Sequence, residues 1–280
     1  MSPFPYRLDR TLIRVSGPDA QSFLQGLLTQ DVNHDPQARV VYAGLLSPQG
    51  KIVADMFVWS FAGSQSQFVL DVDRARGADL LRRLSMYKLR ADVDLEDISA
   101  EQTVIVGDTP IAMSAVDPRM PKGELGYRAI AFTAQAPAVD GSAQLRERLI
   151  AAGVPDLAVD AEPEEVFALE ALFEELYGVD FQKGCFVGQE NVSRMKRRAT
   201  TRRKFCPLAF EGEAPPFGTP IHAGEAELGS VRSGLGRRAL ALLRLDRALE
   251  AAAQGVTLTA GGVSARLDPP AWLILPAADA

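Results

Sequence analysis

From Lys204 to its end the chain is a succession of short apolar segments cut by Gly and Pro, and this spacing constrains the fold more than any other feature. Lys204–Phe210, Thr219–Ala223, Ala226–Ser233, Arg237–Leu245, Val256–Ala260, Val263–Leu267 and Trp272–Leu275 each have strand length. Pro215-Pro216-Phe217-Gly218 and Gly261-Gly262 are turns, and the glycine pair is a strong hairpin signal. Evenly spaced short strands with such turns predict a small antiparallel barrel. Ala248–Ala253 is alanine-rich, but neither an internal repeat nor a low-complexity tract is visible. No apolar run approaches the ~20 residues that span a bilayer, so no membrane segment is expected. At 280 residues the chain exceeds one ordinary core, which predicts two or three domains.

Upstream, strands and helices interleave. Thr11–Val15 reads as a strand. Ser16-Gly17-Pro18-Asp19 opens a helix with Phe23, Leu24, Leu27 and Leu28 on its apolar face. His34-Asp35-Pro36 is a loop. Arg39–Leu46 and Lys51–Phe61 are strands joined by the turn Ser47-Pro48-Gln49-Gly50, and Gln67–Val72 is a third strand. Asp73 caps a helix to about Met86. Asp92–Ile98, Thr103–Val106 and Tyr127–Phe132 are strands, with an irregular, Gly- and Pro-rich stretch over 107–126. Ser142–Ala152 is a helix stopped by Gly153-Val154-Pro155. Glu164–Tyr177 shows Val166, Leu169, Phe173 and Leu176 at helical spacing and is predicted as an acidic helix ended by Gly178. A shorter helix follows Glu190. Strand–strand–helix–strand order points to antiparallel sheets with helices on one face, an α+β class.

Charge is uneven. The net charge of −6 argues against general affinity for nucleic acid. Residues 160–180 hold eight carboxylates and no Lys or Arg, while 194–204 hold seven basic residues and no acid. Solvated faces are expected for Glu162, Glu164, Glu165 and Glu175, whereas Glu170 and Glu174 can point toward the segment between the two blocks. The basic run reads three ways: a solvated connector, a clamp for a carboxylate-bearing ligand, or a weak tRNA contact, which the scarcity of interleaved aromatics disfavours.

That intervening segment, Val179–Glu190, carries the chemistry. Lys183-Gly184-Cys185-Phe186-Val187-Gly188-Gln189-Glu190 sets a thiol between glycines with a lysine two residues before it and Arg194 after it. Positive charge lowers a thiol's pKa and the thiolate is its reactive form, so Cys185 is a candidate reactive group with Lys183 and Arg194 favouring its thiolate. A small buried cysteine in a tight turn is the plainer alternative. Cys185 and Cys206 make no disulfide framework, and a reducing, cytoplasmic setting is expected. No signal peptide is visible after Met1. His34, His222 and the two cysteines have no metal-ligand spacing, so no permanently bound metal is expected. No hydrolase elbow, phosphate loop or dinucleotide fingerprint appears.

The Cys185 motif, with Val192-Ser193-Arg194 after it, resembles the signature of the folate-binding YgfZ family, relatives of the glycine-cleavage T-protein, an aminomethyltransferase. Gly17-x-Asp19-x-x-x-Phe23-Leu24-Gln25-Gly26-x-x-Thr29-x-Asp31-Val32 resembles the family's opening, and Ser47-Pro48-x-Gly50-Lys51 its first hairpin. Leu84-x-x-Tyr87-x-Leu89-Arg90, Asp117-x-Arg119, Gly126-Tyr127-Arg128 and Gly153-Val154-Pro155 resemble its later segments. The likeness covers about the first 205 residues.

The resemblance implies three lobes around a central channel: residues 1–47 with 120–200, residues 48–119, and a barrel over 201–280. It implies tetrahydrofolate, or a derivative, bound near Asp55, Tyr127, Arg128, Glu174, Gly184, Gly188, Gln189, Glu190 and Arg194, with Phe181 and Phe186 as further candidates. It also implies an accessory role in assembling or repairing iron–sulfur clusters of client proteins, linked indirectly to tRNA modification. A folate-dependent one-carbon transferase with Asp55 or a nearby acid as general base is the alternative. Against it, the paired Asp-Asp of aminomethyltransferases is Ala54-Asp55 here, and those enzymes lack the cysteine motif. The helix before that motif carries Leu172 and Glu174 where the YgfZ family often has Asn and Asp, and Ala199 replaces a glycine.

Overall fold

The computed structural model describes residues 5–33, 39–61, 66–198 and 201–276. His34, Asp35, Pro36 and Ala199 lie outside these. Three antiparallel assemblies make up the described chain, in agreement with the α+β expectation.

The first is a five-stranded sheet. Its strands are β2 (Arg10–Ser16), β3 (Val40–Leu46), β4 (Ile52–Ser60), β5 (Gln67–Asp73) and β6 (Asp94–Asp97), in the order β3-β4-β5-β2-β6. The helices α1 (Ala20–Leu27) and α2 (Arg74–Lys88) cover one face. Because side chains alternate along a strand, Phe68, Leu70 and Val72 of β5 join the core with the α1 and α2 leucines. Val69 between them joins the larger core on the opposite face. Both faces are thus buried, and the strands read as nearly continuous apolar runs. Asp73 caps α2 by accepting from the Ala75 N–H at 2.8 Å. Gly77 lets α2 lie on β2: a Cβ there would stand 2.2 Å from the Thr11 hydroxyl.

The second sheet runs β1 (Tyr6–Leu8), β7 (Gln102–Gly107), β9 (Tyr127–Phe132) and β8 (Ala115–Val116). The helices α3 (Ser142–Ala152), α4 (Leu157–Asp160) and α5 (Gln189–Arg198) follow it in the chain. Gly153 ends α3 in the left-handed conformation expected of it, with φ 78°. The third assembly is a closed six-stranded barrel in the order β10-β13-β12-β11-β14-β15. Its strands are β10 (Arg203–Phe210), β11 (Pro220–Ala223), β12 (Ala226–Leu235), β13 (Arg238–Arg244), β14 (Leu258–Ala260) and β15 (Val263–Leu267).

Four expectations change. The alanine-rich stretch is helical: α6 (Leu245–Ala253) buries Leu245, Ala248 and Ala251, as small side chains let a helix lie close to strands. Trp272–Leu275 is not a strand. A lobe boundary at residue 47 cuts a sheet, since β3 and β4 pair across the turn from Val40↔Trp59 to Leu46↔Ile52. The same division separates β7 from its partners β1 and β9.

The fourth change is the largest. Glu164–Tyr177 is a chain of turns and not a regular helix. Leu172 has φ 63° in its middle, and Glu164 and Tyr177 have φ 61° and 55° near its ends. Val166, Leu169, Phe173 and Leu176 are buried as predicted, but so are Ala168, Ala171 and Leu172. Residues 168–173 are buried without a break, so no single amphipathic stripe describes them. Phe173 alone contributes roughly 2–3 kcal/mol of burial. It packs so closely on β3 that a Cβ at Gly44 would stand 2.6 Å from its ring.

Candidate functional site

Cys185 lies on the loop between these turns and α5, and two stretches singled out in the sequence hold that loop. The opening stretch supplies Thr29 and Gln30. Thr29 donates its hydroxyl to the Gly178 carbonyl at 2.5 Å, and its own carbonyl accepts from the Asp180 N–H at 3.1 Å. Gln30 donates its side-chain amide to the Tyr177 carbonyl at 2.7 Å. The β3–β4 turn supplies the floor. Gly188, with φ 80°, approaches so closely that a Cβ would stand 2.6 Å from the Ser47 carbonyl and 3.0 Å from the Gly50 Cα. Asn191 donates from α5 to the Gln49 carbonyl. Within the loop, Asp180 accepts from the N–H groups of Gln182 and Lys183 at 2.7 and 3.3 Å. The Gln189 side-chain amide donates to the Gly184 carbonyl at 3.3 Å. Phe186 is buried beneath.

Cys185 itself is exposed. Gly184 beside it is exposed as well, with open space where a Cβ would stand. Cys206 is the opposite case: it is fully buried in β10, and burial pushes its thiol up to about 12. The plainer reading, a buried structural cysteine, therefore describes Cys206 and not Cys185.

The charged residues are placed differently from expectation. Lys183 is buried and donates its ammonium to the Leu28 and Gln30 carbonyls at 2.7 and 2.9 Å. Burial lowers its pKa to about 8, against the pull of Asp31 and Asp180. It fastens the loop. Arg194 donates to the Asn191 side chain. The structure thus gives both cations partners other than the thiol. Glu174 pairs with Lys196, Glu170 with Arg203 at 2.9 Å, and the buried Glu175 with Lys204. Solvated faces for Glu165 and Glu175 are corrected accordingly: Glu165 pairs with Arg232 at 2.6 Å, and the Glu175 carboxylate is sealed. Three ion pairs thus join the acidic and basic blocks.

A second cluster lies between the two sheets. Asp71, fully buried in β5, accepts from Arg10 at 2.5 Å and from Arg128 at 2.7 Å. Asp117 accepts from Arg128 at 3.1 Å and from Arg119 at 2.9 Å. All three guanidinium groups crowd the Phe57 ring, with Arg128 3.5 Å from its centroid. Burial pushes both carboxyls up, but the arginines outweigh it and hold them below the usual range. Tyr42 donates to Asp55 at 2.9 Å; burial and that carboxylate raise its phenol well above the usual value. Burial together with Asp55 and Asp160 pushes the Asp156 carboxyl up to about 6.

Of the expected folate residues, Arg128 is thus an internal ion-pair partner and Tyr127 is half-buried beside it in β9. Asp55 lies with this central cluster. Gly184, Gly188, Gln189, Glu190 and Arg194 lie at the cysteine loop, Phe181 and Phe186 with them, and Glu174 joins them through Lys196. The expected set therefore divides in two. The sequence did not single out Arg10, Tyr42, Asp71 or Asp156. For Asp71 a signal exists, since a lone carboxylate in Phe68-Val69-Leu70-Asp71-Val72 interrupts a buried run and must be paired.

Comparison with known proteins places this geometry. Residues 10–137 match the GCVT N-terminal domain and residues 202–274 match the CAF17 C-terminal beta-barrel domain. The crystal structure of the glycine cleavage system aminomethyltransferase T from Bartonella henselae superposes with a TM-score of 0.70. That match covers 97% of this chain and 86% of that one at 14% identity, which shows a shared fold. The mitochondrial iron-sulfur cluster assembly factor IBA57 of Mus musculus is 30% identical over 86% of this chain and 77% of its own length. The chain belongs to the IBA57 family. The human protein is 29% identical over 85% of this chain and 76% of its own length. The homologue of Mycosarcoma maydis is 32% identical over 76% of this chain. The chain spans 58% and 54% of the Mycosarcoma maydis and Neurospora crassa relatives.

These IBA57 relatives are named as mitochondrial, which overturns the expectation of a cytoplasmic setting. No helix among the described residues is long and apolar enough to cross a membrane. Among the described residues no three His, Cys, Asp or Glu side chains gather to hold a metal. A folate does not fit at Asp55 as the side chains stand. The hollow lined by Asp55, Arg76, Leu157, Glu162, Pro163 and Val166 measures about 10 Å³, whereas small-ligand sites run to several hundred.

Proposed function

We propose that this IBA57-family chain acts as a YgfZ-type accessory factor in the assembly or repair of iron–sulfur clusters carried by other proteins, with Cys185 as the group it offers. The observation that carries this reading is the contrast between the two cysteines. One thiol is sealed in the barrel, and the other stands exposed on a loop fastened to two separate stretches of the chain. The names of the relatives support the cluster as cargo. A thiolate binds iron once its proton has gone to solvent, and clusters of this kind take several such ligands. One exposed cysteine supplies one of them, so the remaining ligands stay with the protein that carries the cluster.

Replacing Cys185 by Ser in a strain lacking its own copy tests this. Activity of an iron–sulfur enzyme is expected to fall to that of the empty strain, while Cys206→Ser retains it. Full rescue by Cys185→Ser would remove the thiol from the function.

Folate binding is proposed only on the fold shared with an aminomethyltransferase and on Asp156, whose carboxyl has no hydrogen-bond partner among the described residues and neighbours Asp55. Binding there requires the wall at Glu162–Val166 to move. Calorimetric titration with tetrahydrofolate is expected to show heat that Asp55→Asn abolishes; no heat at millimolar ligand removes this part. The fold does not by itself bring one-carbon transfer with it.

A further inference from the structure

Pairing within the chain accounts for Lys196, Arg203 and Lys204 of the basic block, but not for all of it. Arg197 and Arg198 are exposed at the end of α5, and neither has a carboxylate partner among the described residues. The last turn of α5 lies beside the cysteine loop, since the Lys196 ammonium sits 5.5 Å from the Phe181 ring centroid. Two large apolar side chains are exposed in the same region. Phe181 is 38% exposed four residues before the thiol, and Tyr177 is 56% exposed at the loop's entry.

Tyr177 is an unusual residue to find there. Its φ of 55° belongs to the left-handed region, which costs a residue with a Cβ on the order of 1 kcal/mol and which glycine adopts freely. Gln30 holds it in place through its carbonyl. Folding alone would be served better by glycine, so the aromatic ring is held out at a cost to stability. Exposed Tyr, Phe and Arg around a bare thiol are the side chains enriched where proteins meet.

We propose that Tyr177, Phe181, Arg197 and Arg198 form, around Cys185, a docking face for a protein whose cluster-bearing surface is rimmed by carboxylates. This rests on the function proposed above and adds the partner's chemistry. Charge complementarity points to acids, because the exposed charges in the last turn of α5 are basic, whereas the one exposed acid of that helix, Glu190, lies in its first turn. The open space at Gly184 leaves the sulfur approachable. A protein is favoured over a nucleic acid because the net charge is −6 and the two cations of this face, Arg197 and Arg198, are neighbours at one helix end, whereas a phosphate backbone is bound by a track of them.

Two variants that keep Cys185 test the proposal in the strain lacking its own copy. Arg197→Glu/Arg198→Glu is expected to fold with an unchanged melting temperature yet to lower iron–sulfur enzyme activity on the order of tenfold, as the loss of a hot spot does. Arg197→Lys/Arg198→Lys is expected to retain activity. Tyr177→Gly is expected to melt at the same or a higher temperature while also losing activity. In vitro, the dianionic disulfide dithiobis(nitrobenzoate) accepts the Cys185 thiolate and releases thionitrobenzoate. Its rate, relative to neutral dithiodipyridine, is expected to fall with salt in the wild type and to be lower in the Glu double variant. Full rescue by the Glu double variant and by Tyr177→Gly overturns the docking face. The cluster function then still stands, because the wild type rescues; failure of the wild type to rescue removes both. Tight, steeply salt-dependent binding of the wild type to tRNA, lost in the Glu double variant, would assign the face to nucleic acid and likewise overturn the proposal.

Discussion

Asp156 allows the electrostatics of the central cluster to be tested by one substitution. Its carboxyl is partly buried at the start of α4, accepts no hydrogen bond among the described residues, and is pushed up to about 6. Burial is the main cause. Asp55, Asp160 and Asp73 add repulsion, and Arg10 opposes it. An unfolded aspartate ionises at the ordinary 3.8. Below pH 4 the group is neutral in both states and costs the fold nothing. Between about 4 and 6 the native state holds a proton that the unfolded state has lost, so the group's contribution to stability declines with rising pH. Above 6 it is ionised in both states and the full penalty applies. At about 1.4 kcal/mol per pH unit, the interval from 3.8 to about 6 corresponds to at most roughly 3 kcal/mol. Partial exposure trims this, so ~1–3 kcal/mol is expected. Asp156→Asn keeps the shape, removes the charge and sacrifices no bond. Urea unfolding should show the variant ~1–3 kcal/mol more stable than wild type at pH 7.5 and equal to it at pH 4. A gain of the same size at both pH values, or none at pH 7.5, would refute the reasoning.

Three other outcomes follow from the geometry. Gly188→Ala meets the Ser47 carbonyl at 2.6 Å in a backbone conformation of φ 80°. It should cost about 2 kcal/mol or more and speed backbone hydrogen exchange across the cysteine loop, while leaving the barrel amides protected. Glu175→Gln should cost ~3–5 kcal/mol in thermal unfolding by stranding the buried Lys204 ammonium, and Glu175→Leu/Lys204→Met together should cost much less than the sum. Lys183 is charged in both states below pH 8, where the native state bears the whole cost of burying it; that cost disappears as pH rises from about 8 to 10.5. Wild type measured against Lys183→Met should therefore gain stability across that window, and a flat difference would show that the ammonium is not desolvated.

The barrel was legible because hairpins announce themselves locally: β14 and β15 pair across Gly261-Gly262 from Ala260↔Val263 outward. The cysteine loop was legible as a motif but not as a geometry. Lys183 stands two residues from the thiol, which suggests activation. Only the fold shows that its ammonium reaches carbonyls more than 150 positions earlier in the chain. The Glu164–Tyr177 error has the same origin. Its helical spacing is real, but Ala168, Ala171 and Leu172 are buried as well, so residues 168–173 have no solvent face and the amphipathic pattern does not decide their conformation. Arg119 and Arg128 stood out as motif residues, but their meeting with Arg10 was invisible for a related reason. Arg10 is far from them in the chain, and what joins the three is one ring, Phe57, and two carboxylates.

The two charged blocks that flank the cysteine motif matter for what they leave over. Seven cations in 194–204 suggested a site by sheer density. Once folded, Lys196, Arg203 and Lys204 close onto Glu174, Glu170 and Glu175, tying α5 and β10 to the buried turns. Those pairs are structural, and the Lys204 pair, being sealed, is the costliest to break from one side. The thiol loop is therefore held by the same charges that the sequence offered as its chemistry. Lys183 spends its ammonium on two carbonyls, and Arg194 its guanidinium on Asn191. Both cations that flank Cys185 in the sequence thus act on where the loop stands, so substituting either should be read first as a change in how the thiol is presented.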